Sequence, residues 1–246
     1  MTQRFDTVWQ DESVAKRYLN GLRGAIPGAG LQLEVLLQLQ KLVKPPVKRF
    51  LDLGCGDGVL GQVLLDAAPN AQGVFLDFSP AMMDAARRRL APYAGQCFVN
   101  ADYGDPAWVE TVAERTPFDM IVSGFSIHHQ TDERKQGVYG EILELLRPGG
   151  LFVNLEHVEP KSPQARWLFD EHFIDTLYAL EQSQDGPRTR EQLAHEFLNR
   201  EDPQANILSP TERQLDWLRE IGFVDVDCHF KLYELAIFAG FRPDAN

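Results

Sequence analysis

Apolar and polar positions along this chain fall into blocks whose period changes. Residues 8–23 and 30–43 carry apolar positions at helical spacing, the second (GLQLEVLLQLQKLV) with leucines on more than one face. Pro45 and Pro46 end that run, because proline lacks the N–H a continuing helix needs. A short apolar run then opens at Phe50 and stops at three glycines, FLDLGCGDG. Beyond it the pattern predicts a helix over 59–68, a β run at 72–78 (QGVFLDF), a helix opened by Ser79 and Pro80 and reaching about Leu90, and a β run at 96–100 (QCFVN). A helix over 105–115, a strand at 118–124 (FDMIVSG), a helix over 132–146, the turn RPGG and a strand at 151–156 (LFVNLE) follow. Strands alternating with helices in this way imply right-handed crossovers and a doubly wound, mostly parallel α/β sheet. Runs such as MIV and VFL suit strands covered on both faces.

The alternation breaks after Glu156. Residues 163–200 read as two helices separated by QSQDGPRTR. The first carries Trp167, Phe169, Phe173, Ile174, Leu177 and Tyr178, an apolar face broad enough to need something to cover. A helix over 211–221 ends at Gly222 and leads into FVDVDCHF and ELAIFAG, which predict a closing antiparallel pair. The expected organisation is one domain over 1–246: N-terminal helices over 1–45, a core over 46–156, a helical insert over 157–210, and a closing helix and strands over 211–246.

Composition narrows the picture. A chain of 246 residues can bury a core without disulfides. Its net charge of -12 repels phosphate backbones, so nucleic acid is not an expected partner. The cysteines Cys55, Cys97 and Cys228 are odd in number and far apart, which argues against a disulfide framework and against a structural zinc site. No signal-like apolar core stands at the N-terminus, and no run approaches the roughly 20 apolar residues of a membrane span. The expectation is a cytoplasmic protein with reduced thiols, no membrane partner and no metal.

The glycine loop is the first candidate for chemistry. Gly54, Gly56 and Gly58, with Cys55 between the first two, let backbone approach a ligand between a strand and a helix, since no Cβ intervenes. GDGVLG over 56–61 also fits the GxGxxG dinucleotide pattern, which leaves nicotinamide and sulfonium cofactors as alternatives. Asp77, at the end of the second strand, suits ribose hydroxyls in either case. Asp102 suits an exocyclic amine, with Phe78, Met82 and Tyr103 as walls for its ring. The register separates the alternatives: glycines begin at Gly54, directly after the strand, whereas the GxGxxG fit starts only at Gly56. Asp52 and Asp57 flank the loop, unfavourable beside a pyrophosphate and suitable for a cationic amino group. An oxidoreductase also needs a catalytic set, and Tyr139 is followed by GEIL rather than by the spacing of a YxxxK motif.

Taken in order, FLDLGCGDG, the acidic strand end in FLDFS, NADY, FDMIVSGFSIHH, LLRPGG, and IGFVDVDCHF with ELAIFAG resemble the class I S-adenosylmethionine-dependent methyltransferases. The resemblance covers residues 1–156 and 211–246. It implies a seven-stranded sheet with the last strand antiparallel and S-adenosylmethionine as cofactor. By position, it implies that Asp52, Gly54 and Gly56 hold the methionine part, Asp77 the ribose, Phe78 and Met82 one side of the adenine, and Asp102 with Tyr103 its amine. Ser123 and Gly124 would floor the site near the sulfonium. The N-terminal helices would form a lid, with Tyr18 and Arg23 as candidates for the cofactor carboxylate, and the insert would cap the acceptor.

On the acceptor side, His128 and His129 follow the fourth strand and are candidate bases, since imidazole titrates near neutrality. Trp167, Phe173 and Tyr178 are candidates for an apolar or aromatic small-molecule pocket. The expected partners are that acceptor and, at most, a second copy of the chain as a homodimer. An RNA methyltransferase would need a basic module that is not visible. A protein that binds the cofactor without turnover remains open, because binding alone does not establish chemistry.

Overall fold

The computed structural model describes residues 6–20, 22–200 and 202–245, without the side chains of Arg17, Asn20, Leu22 and Arg23. The N-terminal helices are α1 (Glu12–Asn20) and α2 (Ala29–Gln40). The core alternates β1 (Arg49–Leu53), α3 (Val59–Ala67), β2 (Gln72–Asp77), α4 (Pro80–Arg89), β3 (Cys97–Asn100), α5 (Trp108–Val112), β4 (Phe118–Gly124), α6 (Asp132–Leu145) and β5 (Leu146–His157). The insert supplies α7 (Pro163–Ser183) and α8 (Arg190–Leu198), and the chain closes with α9 (Thr211–Ile221), β6 (Val224–Leu232) and β7 (Leu235–Phe241).

Local chemistry sets several boundaries. Ser79 caps α4 with Pro80 in its first turn, and Thr131 and Ser162 cap α6 and α7. Thr189 and Gln192 form a reciprocal capping box on α8. Expectation and structure differ at three places. The helix expected over 8–23 is divided, because Asp11 Oδ1 accepts the N–H of Ser13 at 2.7 Å and caps α1 from inside the run. The helix over 105–115 shrinks to α5 and a 3-10 turn: Asp105 caps Ala107, and Thr116 precedes Pro117, which disfavours helical backbone. RPGG is not a separate turn; it lies within β5, whose pairing with β4 shifts register between Phe118 and Met120.

The sheet order is β3-β2-β1-β4-β5-β7-β6, seven strands, and β7 runs antiparallel to both neighbours. This agrees with the expected fold. One face of the sheet is covered by α2, α3 and α4 around Phe50, Phe75, Met120 and Val122. The other is covered by α5, α6 and α9 around Leu51, Leu53, Ile121 and Phe152. Deleting a ring such as Phe75, wholly buried against Phe50 and Phe98, would cost about 3–5 kcal/mol. A third cluster joins Phe169, Phe173 and Ile174 of α7 to Phe197 of α8, Ala25 and Leu235. It seats the insert above the carboxyl ends of the strands. Between β1 and β4 the chain order reverses, and such switch points open a crevice at those ends. No helix among the described residues is long and apolar enough to cross a membrane.

Candidate functional site

The crevice deepens into a cavity of about 280 Å³ bounded by the strand ends, the N-terminal helices and the insert. At one end the loop after β1 turns through Gly54, Gly56 and Gly58, with φ of 66°, 53° and 79°, a region L side chains rarely adopt. A Cβ on Gly54 would stand 1.9 Å from Ser126 Oγ, so this loop and the one after β4 touch only because the side chain is missing. At Gly56 no described atom lies within 4 Å of a built Cβ, and the loop there faces open cavity.

Carboxylates fix this loop. Asp52, 1% exposed, accepts the Gly61 N–H at 3.0 Å and so tethers the first turn of α3 to β1. Asp77 accepts from the Gly56 N–H at 2.9 Å and the Ser79 N–H at 2.8 Å. Burial pushes its carboxyl up to about 6, against the pull of these donors. Each oxygen can accept a second bond from a hydroxyl in the cavity. Asp57 carries an ion pair with Arg89 of α4 at 2.6 Å, so its charge is engaged rather than reserved for a ligand's amino group.

Cys55, Phe78, Met82, Asp102, Tyr103 and Tyr18 also line the cavity. The Cys55 thiol is raised well above its usual value, first by burial and then by Asp77 and Asp52, and stays uncharged beside Met83. Asp102 accepts from the Gly104 N–H, and the Tyr103 hydroxyl bonds Ser126 Oγ at 2.7 Å. Tyr18 stands edge-on to Trp9 at 5.4 Å. The side chain of Arg23 lies outside the described residues. This set fits S-adenosylmethionine: loop backbone at Gly56 that faces the cavity, an acceptor carboxylate at a strand end for ribose hydroxyls, and apolar lining from Phe78 and Met82 together with Asp102.

Three sequence candidates do not reach the cavity. Ser123 is fully buried and donates to the Leu53 carbonyl at 2.8 Å, so it ties β4 to β1 beneath the floor. Gly124, Phe125 and Ser126 form the floor instead. Trp167 is 61% exposed and Tyr178 is not among the lining residues, whereas Phe173 is. The lining face of α7 carries Phe169 and Phe173, four residues apart; Trp167, two before Phe169, lies about 200° around the helix.

The other end is histidine-rich. Phe125 has φ of 51°, uncommon for a bulky residue, and its N–H is anchored on the Leu155 carbonyl at 2.7 Å. This bend turns Ser126, His128 and His129 toward the cavity. His128 Nδ1 lies 2.5 Å from Glu156 Oε1. Glu156, 0% exposed, also accepts from Asn154 Nδ2 and the His157 N–H. Burial pushes Glu156 up to about 7 and holds His128 well below the usual imidazole value, so His128 is neutral. With Glu156 ionised, the neutral ring donates its Nδ1–H to that carboxylate, and Nε2 is then the basic nitrogen. His129 faces the Ala205 carbonyl through Nδ1 at 3.2 Å and is pushed down to about 3 by burial. The insert is tied back at this point: Ile207 donates to the His128 carbonyl at 2.8 Å, and buried Lys135 reaches Asp132, Ser209 and the Ile207 carbonyl.

Sequence reasoning missed Glu156, His157, Phe197 and Glu234. For Glu156 a signal existed, an acid inside the apolar run LFVNLE. Among the described residues no group of three or more His, Cys, Asp or Glu is arranged to hold a metal ion.

Comparison with known proteins adds the following. A family model described as a methyltransferase domain matches residues 51–152. A demethylmenaquinone methyltransferase of Clavibacter sepedonicus is 33% identical over 199 residues, 80% of this chain and 74% of that protein. A protein of the same name from Leptospira interrogans is 32% identical over 124 residues, 50% of this chain and 49% of that one. The chain thus spans about half the length of some curated relatives it matches. Among solved structures, human N-acetylserotonin methyltransferase in complex with S-adenosylmethionine superimposes with a TM-score of 0.63. It covers 98% of this chain and 59% of that one at 13% identity, a likeness of fold.

Proposed function

Because the chain belongs to the class I S-adenosylmethionine-dependent methyltransferases, we propose that it transfers a methyl group from that cofactor to a small-molecule acceptor held against His128. The carrying observation is one continuous cavity with Gly56 and Asp77 at one end and a neutral, carboxylate-held imidazole at the other. When bound, the cofactor supplies a methyl carbon already activated by its sulfonium. What remains for the protein is alignment, which suits a site built on strand ends, and removal of the acceptor's proton. Asp77 would hold the ribose hydroxyls and Phe78 and Met82 the adenine, while His128 Nε2 receives the acceptor's proton. A base so placed contributes about 10²–10⁴ in rate. His129, bonded through Nδ1 and pressed against Trp9 at 5.6 Å, shapes the wall.

We read the N-terminal segment 1–45 as a lid and 157–210 as a cap over the 46–156 core, closed by 211–246. The three free cysteines and the acidic balance support a cytoplasmic setting and a small acceptor rather than nucleic acid or membrane. The test is thermal. S-adenosylmethionine and S-adenosylhomocysteine should raise the melting temperature by mass action, while NAD should not. Methyl-labelled cofactor should then pass label to a member of a panel of hydroxylated, carboxylated and amine-bearing small molecules. A shift with NAD alone, or cofactor binding without transfer to any acceptor, would overturn the reading.

A further inference from the structure

The acceptor end holds a second histidine–carboxylate pair that the reading above does not use. His157 ends β5 and lines the cavity, and its Nε2 lies 2.8 Å from Oε2 of Glu234. Glu234 stands at the turn between β6 and β7 and is 1% exposed. The His157 ring meets that of His128 edge-on at 5.6 Å and lies 5.4 Å from Phe169.

The two pairs are held through opposite nitrogens. Glu156 takes Nδ1 of His128 and Glu234 takes Nε2 of His157. That leaves Nε2 on His128 and Nδ1 on His157, neither with a protein partner among the described residues. With each carboxylate accepting an N–H, both remaining nitrogens are lone-pair acceptors. Two acceptors on adjacent rings match two hydroxyl donors on one ligand. The surrounding Phe125, Phe169, Phe173 and Phe197 favour a flat apolar body for it.

We propose that the acceptor is an aromatic ring with hydroxyls on adjacent carbons, one donating to His128 Nε2 and its neighbour to His157 Nδ1, with Glu234 as the positioning residue. This rests on the methyl-transfer reading. The hydroxyl at His128 gives its proton to Nε2 while an oxygen lone pair forms the new bond to the methyl carbon. The electrons of the breaking carbon–sulfur bond stay on sulfur, giving S-adenosylhomocysteine, and the proton leaves His128 for solvent. The second hydroxyl is not consumed; its bond to His157 selects which oxygen reacts.

The experiment compares catechol, resorcinol and phenol as acceptors, following S-adenosylhomocysteine release. The expected kcat/KM for catechol is at least about tenfold above the other two, because a site built to bond a hydroxyl discriminates against its absence. Guaiacol should be the only product. His157→Gln and Glu234→Gln should each reduce the catechol-to-phenol ratio to within about twofold, with the cofactor-induced melting shift retained. Equal use of catechol and resorcinol by the unaltered protein, no turnover of any of the three, or variants that slow catechol and phenol alike would overturn the proposal. If the melting shift with S-adenosylhomocysteine persists in those cases and label still passes to another acceptor, the methyl-transfer reading stands and only the diol assignment falls.

Discussion

The two ends of the cavity are built differently. At the cofactor end, the carboxylates and glycines come from strand termini and the few residues after them, and most of the bonds run to backbone: Asp77 to Gly56 and Ser79, Asp52 to Gly61. At the acceptor end, imidazoles meet carboxylates from separate segments, His128 with Glu156 and His157 with Glu234. A site made of backbone N–H groups and glycines accepts one ligand shape. A site made of side chains from the loop after β4, the end of β5, the insert and the β6–β7 turn can be altered one side chain at a time without touching the first. The difference suggests that cofactor binding and acceptor choice are separable properties of this chain.

The strongest attempt to break that separation is His128→Ala. Turnover should fall by about 10²–10⁴ while the dissociation constant for S-adenosylhomocysteine stays within about twofold. Loss of both together would show that the ends are one unit. The mirror experiment is Asp77→Ala, where calorimetry should find cofactor affinity weaker by about 100-fold, since each hydrogen bond to a charged group is worth about 1.5–3 kcal/mol. A change under threefold would remove the ribose from Asp77.

A smaller effect is expected from pH. If Asp77 holds the ribose as proposed, its ionised form is the acceptor; burial raises its carboxyl to about 6, so protonation below that value removes an acceptor. Cofactor affinity should fall by up to about tenfold between pH 6 and pH 5, and Asp77→Asn should flatten the dependence. An unaltered protein whose affinity is flat over that range contradicts the assignment. Gly54→Ala combines a φ of 66° with a Cβ 1.9 Å from Ser126 Oγ. It should cost about 1–3 kcal/mol in chemical denaturation and weaken the cofactor more than the acceptor. Trp167→Ala is the expected silence, within about 0.5 kcal/mol and with unchanged turnover, because the ring is 61% exposed outside the cavity.

The same contrast governs what could be read from the chain. The strand-and-helix alternation, the closing antiparallel pair and the glycine loop are local patterns, and the sheet follows them. Candidates at strand ends, Asp77, Asp102 and Tyr103 among them, gather at one end of the cavity because a parallel sheet brings its carboxyl ends together. The acceptor end was less legible. Glu156 sits within a run whose period says only strand. Glu234 and His157 are 77 residues apart, and no spacing encodes their meeting. An aromatic stripe on a helix does not say which flank faces a ligand, so Trp167 and Phe173 look equivalent until the insert is seated. Ser123 shows the converse: its place at a strand end is right, but its side chain points to the neighbouring strand.

The position of β7 carries one more consequence. Slotted antiparallel between β5 and β6, it brings the hairpin turn with Glu234 to the same rim as the carboxyl ends of the parallel strands. The residues that would hold the cofactor are encoded up to Tyr103, with the floor at Gly124, Phe125 and Ser126, whereas His157 meets a partner 77 residues further along. During synthesis, the segments that cradle the cofactor leave the ribosome long before the last acceptor-side carboxylate exists. A nascent chain therefore has the parts for one ligand well before it has the parts to choose the other, and an arrest between the two leaves a polypeptide without its full selectivity.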